Sequence, residues 1–384
     1  MKVNFLITIA LCVQFLNATF IIKAHENQPQ PYEWAIVGAG LAGITALAVL
    51  IESGIKPSSI VWIDPEFNVG RVGKYYRNVP GNVQASRLIL YVNNCPYFKD
   101  ICSSSLNALY NNYDLDEFQP LHVIADPLID FTAYLCNKVV SIKDTITELK
   151  RINDYWALEG TEQGIIHAQK VILAIGGHPK RLDYDIPEIP LDDALDRERL
   201  ANNLSPDDYV AIFGSMHSAI LVLKFLSQTS VKQIVNFYKN PYFYGVPGLE
   251  GAAAAWAEKV LEQNPPHNLI RVLNTPENRE NILPLCTKVI YAIGYEPNKI
   301  LVNGTSDVTF DEHTGIIDHN VYGIGIAFPP TGIFYGQKIA KNGLHTYLAY
   351  AKKFIPQWIA NEKCYVNKPQ EQLYDCENQE LPWI

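Results

Sequence analysis

Between residues 34 and 64 the chain lays out a strand, a tight turn, a helix and a second strand without a gap. Trp34-Ala35-Ile36-Val37 is a short apolar run, Gly38-Ala39-Gly40-Leu41-Ala42-Gly43 follows it, and Ile44 to Glu52 is amphipathic with helical period. Gly54 is placed to close the helix in the left-handed conformation, Pro57-Ser58 turns the chain, and Ile60 to Ile63 reads as a second buried strand ending at Asp64. The three glycines act differently. Gly38 permits the tight turn, Gly40 leaves room for a pyrophosphate to touch backbone, and Gly43 lets helix and strand pack closely. The helix amino terminus then faces the pyrophosphate charge, and Asp64 is positioned to accept hydrogen bonds from a ribose. A glycine-rich turn with a purely packing purpose would leave Asp64 unexplained.

The rest of the chain arranges itself around that unit. Residues 65–100, rich in Gly, Pro, Asn and Tyr, read as an irregular binding segment. A helix is expected over Pro127 to Val140, and alternating segments at 146–152, 155–158 and 164–169 read as a small β-meander. The meander feeds Val171-Ile172-Leu173-Ala174-Ile175-Gly176, a buried strand ending in a glycine turn. After a Pro- and Asp-rich connection the plan repeats. Tyr209 to Phe213 is a strand, Gly214 to Ala219 a turn, Ile220 to Ser227 a helix, and Ile234 to Phe237 a second strand. Val289 to Gly294 echoes Val171 to Gly176, and Ile339 to Phe354 is expected to be a closing amphipathic helix.

A chain of 384 residues with 48% hydrophobic content can bury a sizeable core in two domains or one elaborated domain. Its 31 Lys and Arg against 40 Asp and Glu, with no basic run, exclude nucleic acid as a partner. Residues 1–24 read as an export signal or an uncleaved membrane anchor, because Lys2 precedes the mostly apolar Phe5 to Leu16 and polarity returns at Lys23. The expected location is therefore extracytoplasmic or membrane-anchored, with membrane association through that segment. Of seven cysteines none forms a C-x-x-C, which argues against a zinc ribbon and a dithiol redox pair. Cys364 and Cys376 are either joined or unrelated thiols, and the nine histidines have no ligand spacing, so no metal site is expected.

From Asp64 onward the sequence resembles the two-dinucleotide-binding-domain flavoproteins, the group of pyridine nucleotide-disulfide reductases, thioredoxin reductase-like enzymes and flavin-containing monooxygenases. The resemblance rests on Gly38, Gly40 and Gly43 with Asp64, on Gly70-Arg71-Val72-Gly73 leading to Asn78-Val79-Pro80-Gly81, on Val171 to Gly176 with Gly177-His178-Pro179, and on Val289 to Gly294 with Tyr295-Glu296-Pro297. It implies an α/β fold with a Rossmann-type FAD-binding domain at 30–188 and 286–355. It also implies an inserted second Rossmann-like NAD(P)-binding domain at 189–285, and leaves 356–384 as a tail. FAD is implied on Gly38, Gly40, Gly43 and Asp64, with Arg71 and Val72 near the flavin, Gly176 at the turn between domains, and Gly325 at the ribityl-pyrophosphate end. The second unit, with Gly214, is implied to receive NADH or NADPH.

Three departures qualify that picture. Met216 replaces the second glycine of the second fingerprint, and Lys239 stands near the end of the following strand, where a cation favours the 2′-phosphate of NADPH. Ile326 stands where the family often has an Asp after Gly325. No cysteine pair lies beside the expected flavin, and residues 190–208 lack the F-x-G-x-x-x-H linker of flavin-containing monooxygenases. His178 and His217 are candidate proton carriers or packed side chains, and Tyr75, Tyr76, Tyr242 and Tyr244 line a pocket or a packed loop; no catalytic residue follows. The expectation is an FAD-dependent oxidoreductase passing hydride from NAD(P)H through flavin to oxygen or a small organic acceptor. The alternatives are a flavin-dependent monooxygenase and a non-catalytic FAD-binding protein with a degenerate nicotinamide site.

Overall fold

The repeated apolar runs of the sequence become the central strands of two parallel sheets. The computed structural model describes residues 30–245, 248–334 and 337–360. The first unit holds β1 (Tyr32–Val37), α1 (Leu41–Glu52), β2 (Ile60–Ile63), α2 (Gly70–Tyr75) and β3 (Ile165–Leu173), followed by a short strand β4 (Gly177–Pro179). The second holds β5 (Tyr209–Phe213), α3 (His217–Leu226), β6 (Gln233–Tyr238), α4 (Gly251–Trp256), β7 (Leu269–Leu273) and β8 (Lys288–Tyr291), and β9 (Tyr295–Pro297) leads back. The helix α5 (Leu344–Ala360) ends the described chain.

In the first sheet the parallel strands run Val140–Ile142, β2, β1, β3 and Val321–Gly323, with the antiparallel meander Ile146–Ile152 and Tyr155–Gly160 on the amino-terminal half of β3. The second sheet is wholly parallel, in the order β7, β6, β5, β8. Both sheets place the strand that follows the turn helix on one side of the first strand and the returning strand on the other. Both are covered on two faces, which is why their strands read as continuous apolar runs. The second unit lies in sequence between β3 and Val321–Gly323, so the α/β architecture is a Rossmann-type unit carrying an inserted second one.

Several expectations are corrected. The segment 65–100 holds α2, a strand at Pro80–Gln84 and helices Ser86–Asn93 and Pro96–Lys99, because Leu88, Tyr91, Val92 and Cys95 recur at helical spacing and are buried. The helix expected from Pro127 begins at His122 and ends at Cys136. Burial of Val123, Ile124, Leu128, Phe131 and Leu135 along it outweighs the roughly 3 kcal/mol that an interior proline costs. One strand, not two, spans Ile165–Leu173. The polar interruption at Lys170 is explained by its Nζ, which donates to Trp358 O and Ile359 O at the carboxyl end of α5. The closing helix starts at Leu344, after Gly343 at φ +134, and Gln337–Ala340 is instead a strand paired with Thr331–Phe334. The second sheet also runs past residue 285, since β8 pairs with β5.

The two units are joined by more than their connections. β4 and β9 pair antiparallel, His178 opposite Glu296. Tyr76 and Val79, from the segment after α2, are buried in the second unit's core with Leu249, Ala253 and Trp256. An apolar contact of this kind opposes relative domain motion. Among the described residues no helix is long and apolar enough to cross a membrane; the expected signal or anchor, and Cys364 with Cys376, lie outside the described residues.

Candidate dinucleotide sites

At the first turn the three glycines differ in what surrounds them. A Cβ on Gly38, at φ +108, would lie 2.3 Å from Ala174 O, and one on Gly43 would lie 1.9 Å from Gly38 O. Those two serve the protein's own packing. A Cβ on Gly40 would meet nothing within 4 Å, so no protein atom accounts for a glycine there, and the space beside it is open to a diphosphate. Gly40 also gives α1 no side-chain cap, which leaves first-turn amides and the positive helix end facing the same space.

Asp64 is held by three main-chain donors: Ala39 N reaches Oδ2 at 2.7 Å, and Glu66 N and Phe67 N reach Oδ1 at 2.8 and 2.7 Å. A carboxylate has about four acceptor positions, so Asp64 pins the turn and keeps capacity for a ribose hydroxyl. Beyond it an open cleft of about 350 Å³ is lined by Glu66, Phe67, Thr132, Cys136, Ser141 and Lys143. Gly70 comes close enough that its Cβ would lie 3.3 Å from Gly40 Cα, and a Cβ on Gly325 would lie 2.7 Å from Ala42 Cβ. The structure therefore brings Gly38, Gly40, Gly43, Asp64, Gly70 and Gly325 together around one helix terminus. The residues present fit an FAD there. Ile326 points instead at the crossing of β4, its Cγ2 lying 2.6 Å from where a Cβ on Gly177 would stand. Gly176, at φ +68, begins that crossing.

The second turn repeats the first almost bond for bond. Gly38 N donates to Ile63 O and Gly214 N to Phe237 O; Ala174 N donates to Val37 O and Ala292 N to Phe213 O. A Cβ on Gly214, at φ +127, would lie 2.2 Å from Ala292 O. In register Trp62 corresponds to Asn236, and each donates to the carbonyl of the first glycine, at 2.9 Å to Gly38 O and 2.8 Å to Gly214 O. The position of Asp64 is taken by Tyr238, and Lys239 lies one residue further on, exposed.

Arg71 and Val72 sit on α2. Val72 is half-buried, whereas Arg71 reaches across to the inserted unit and pairs with Asp192. Tyr76 donates to Asp192 at 2.5 Å and Tyr295 to Tyr76 at 2.6 Å, so one cluster ties α2, the connection into the second unit and the return from it. Burial pushes the Tyr76 and Tyr295 hydroxyls upward, which keeps them protonated. Nothing in the sequence singled out Asp192 in its Asp-rich connection, nor Asn236 or Arg271, and Tyr295 stood out only within the Tyr295-Glu296-Pro297 motif.

His178 is bound through Nε2 to Glu296 and through Nδ1 to Asn298 at the β4–β9 pair. His217 accepts Glu250 N at 2.9 Å, and burial holds its pKa below the ordinary value, so it acts as a neutral acceptor. Tyr75 stacks against Arg71, and Tyr242 and Tyr244 both donate to Glu262. None of these is gathered at the first turn.

Two parallel units with matched glycine turns define an α/β protein with two dinucleotide-binding folds. An FAD-NAD(P)-binding family model matches residues 35–178, the first unit almost entire. The protein named Monooxygenase AgnR1, from Paecilomyces divaricatus, is 26% identical over 395 residues, covering 87% of this chain and 100% of its own. Among solved structures, bacillithiol disulfide reductase from Bacillus cereus aligns with a TM-score of 0.55 at 14% identity, over 85% of this chain and 99% of that one. A flavin-containing monooxygenase from Stenotrophomonas maltophilia aligns with a TM-score of 0.53 at 13% identity, over 85% and 98%. The chain carries an FAD-NAD(P)-binding match over residues 35–178 and has the two-dinucleotide-binding-domain fold.

Proposed function

We propose that this FAD-dependent oxidoreductase is a monooxygenase that draws reducing equivalents from NADPH and oxygenates a small organic nucleophile. The observation that carries this reading is the alignment, over 87% of this chain and the whole of the relative, with a protein named as a monooxygenase. The cysteines agree with it: Cys95, Cys102, Cys136 and Cys286 are free, and none lies on the turn, α2 or Gly325 segments around the first helix terminus. Bound FAD supplies two-electron chemistry between a reduced nicotinamide and oxygen. The chain supplies binding and orientation. Gly40 opens the turn to the diphosphate, Asp64 holds the ribose, and the packing of Tyr76 and Val79 keeps the two units in one fixed relation. At the second turn an acid is absent from the position of Asp64 and Lys239 stands exposed beside it, which supports NADPH over NADH. The apolar stretch from Phe5 to Leu16 supports export or anchoring, which cell fractionation tests.

The test is an absorbance spectrum of purified protein, followed by anaerobic addition of each nicotinamide. A yellow protein whose flavin band bleaches faster with NADPH, and which then consumes oxygen in step with product, supports the proposal. Met216 favours a second reading, a flavoprotein with a lapsed nicotinamide site, for which the protein stays yellow with both nicotinamides.

A further inference from the structure

The two turns solve one problem with different side chains. The carbonyl of the first glycine faces inward and needs a donor. Trp62 provides one with an indole N–H, whose ring has a single shape and a single donor. Asn236, its counterpart and fully buried, provides a carboxamide whose two ends are alike in shape but opposite in hydrogen bonding. Packing alone cannot choose between its two orientations. In one, Nδ2 donates to Ile212 O at 3.2 Å and to Gly214 O at 2.8 Å. In the other, Oδ1 would face two carbonyl oxygens and the turn would lose its tie.

Arg271 reinforces the orientation that those two carbonyls favour. It lies opposite Asn236 on β7, and its Nε donates to Asn236 Oδ1 at 3.0 Å, a bond that the reversed amide cannot accept. The guanidinium itself lies over the rings of Tyr238 and Tyr242, its Cζ 4.8 and 4.9 Å from their centroids. We infer that Arg271 is a positioning residue for the second turn: it holds the Asn236 amide in the orientation that ties down Gly214 O, and so keeps the turn in the shape a dinucleotide pyrophosphate requires. The inference rests on reading the second turn as the nicotinamide dinucleotide site. It also explains how that turn is kept in shape where the first relies on an indole.

The experiment compares Arg271→Met, Arg271→Lys, Asn236→Ala and the Asn236→Ala, Arg271→Met double variant as FAD-loaded full-length protein. The first readout is backbone amide hydrogen exchange, which needs no nicotinamide. Arg271→Met is expected to speed exchange across 213–219 about tenfold while leaving 37–43 unchanged, as the loss of one partly buried charge-assisted bond implies. Arg271→Lys, which retains a donor, should restore part of the protection. The second readout is anaerobic flavin reduction: the NADPH concentration for half-maximal rate should rise about tenfold in Arg271→Met, with the saturating rate and FAD content unchanged. In the Asn236→Ala background Arg271→Met should add nothing. Unaltered exchange at 213–219 in Arg271→Met, or equal effects in both backgrounds, overturns the inference. A wild-type chain that binds neither nicotinamide, yet whose 213–219 segment responds to Arg271→Met, overturns the proposed function and leaves the positioning of Asn236 by Arg271 standing.

Discussion

At the first turn the residue that begins the helix is Gly40, with φ −79 and ψ −174; at the second it is Met216, with φ −100 and ψ −167. The backbone is the same extended conformation, open to any residue, so neither position needs glycine for its geometry. Gly38 and Gly214, at φ +108 and +127 against the carbonyls of Ala174 and Ala292, do need it. The pair of turns thus separates glycines that the fold requires from one that neither contact nor backbone geometry requires. The fold has kept the first kind in both units and the second kind in one.

The strongest way to break this distinction is at Gly40. Gly40→Val should fold and melt close to wild type, because its Cβ meets no protein atom within 4 Å, yet bind FAD at least about 100-fold more weakly, a loss near 2.7 kcal/mol. Gly38→Ala should fail in the opposite way, since its Cβ has a carbonyl oxygen 2.3 Å away and a backbone that disfavours a side chain. Flavin absorbance and thermal melting on the two variants decide the matter, and a fully yellow Gly40→Val protein ends the argument for a diphosphate there. Next comes the tie between the units. Arg71→Met leaves Asp192 with Tyr76 alone in a partly buried setting, and a loss of about 2 kcal/mol in urea unfolding is expected. Stability unchanged within error would mean that the apolar contact of Tyr76 and Val79 suffices.

The third prediction repairs the second turn. Met216→Gly should tighten NADPH about tenfold, near 1.4 kcal/mol, by letting phosphate approach the backbone as Gly40 does. Glycine is a tolerated residue before a helix, so the melting temperature should move little. Titration of the oxidised protein with NADP⁺ measures the gain. An affinity that stays the same or falls would show that the methionine side chain belongs to the site and does not obstruct it.

What could be read in advance divides along the same line. The first unit was legible because its signal is local: an apolar run, three glycines at fixed spacing, a helical period and one acid. The helix Ser86–Asn93 was equally local, with Leu88, Tyr91, Val92 and Cys95 in helical register, but the neighbouring Gly, Pro and Asn masked that period. The ties that hold the sites in shape were not legible. Arg71 meets Asp192 across 121 residues and Arg271 meets Asn236 across 35, and no pattern in either segment announces the other. Lys239 was the visible cation after the second strand; in register it stands one residue past the counterpart of Asp64, whereas Arg271 lies one strand away.

The smallest expected effect separates the two turns by pH. The loop before α4 is fastened to the second turn by Glu250 N donating to Nε2 of His217, the first residue of α3, and no histidine plays this part at the first turn. Burial depresses the His217 pKa below its ordinary 6.5, so the folded protein favours the neutral ring. Below that value the unfolded chain binds more protons than the folded one. The bond's contribution is therefore complete above about pH 6.5 and is lost as the pH falls through the depressed folded value. Protonation places an N–H against the N–H of Glu250, and the loss of one hydrogen bond amounts to about 1 kcal/mol, roughly fivefold in NADPH affinity. His217→Gln retains an acceptor that does not titrate, so its affinity should stay flat over the range in which wild type weakens. FAD affinity should be level in both proteins, and a wild-type NADPH profile as flat as that of His217→Gln would show that this loop has no part in holding the second dinucleotide.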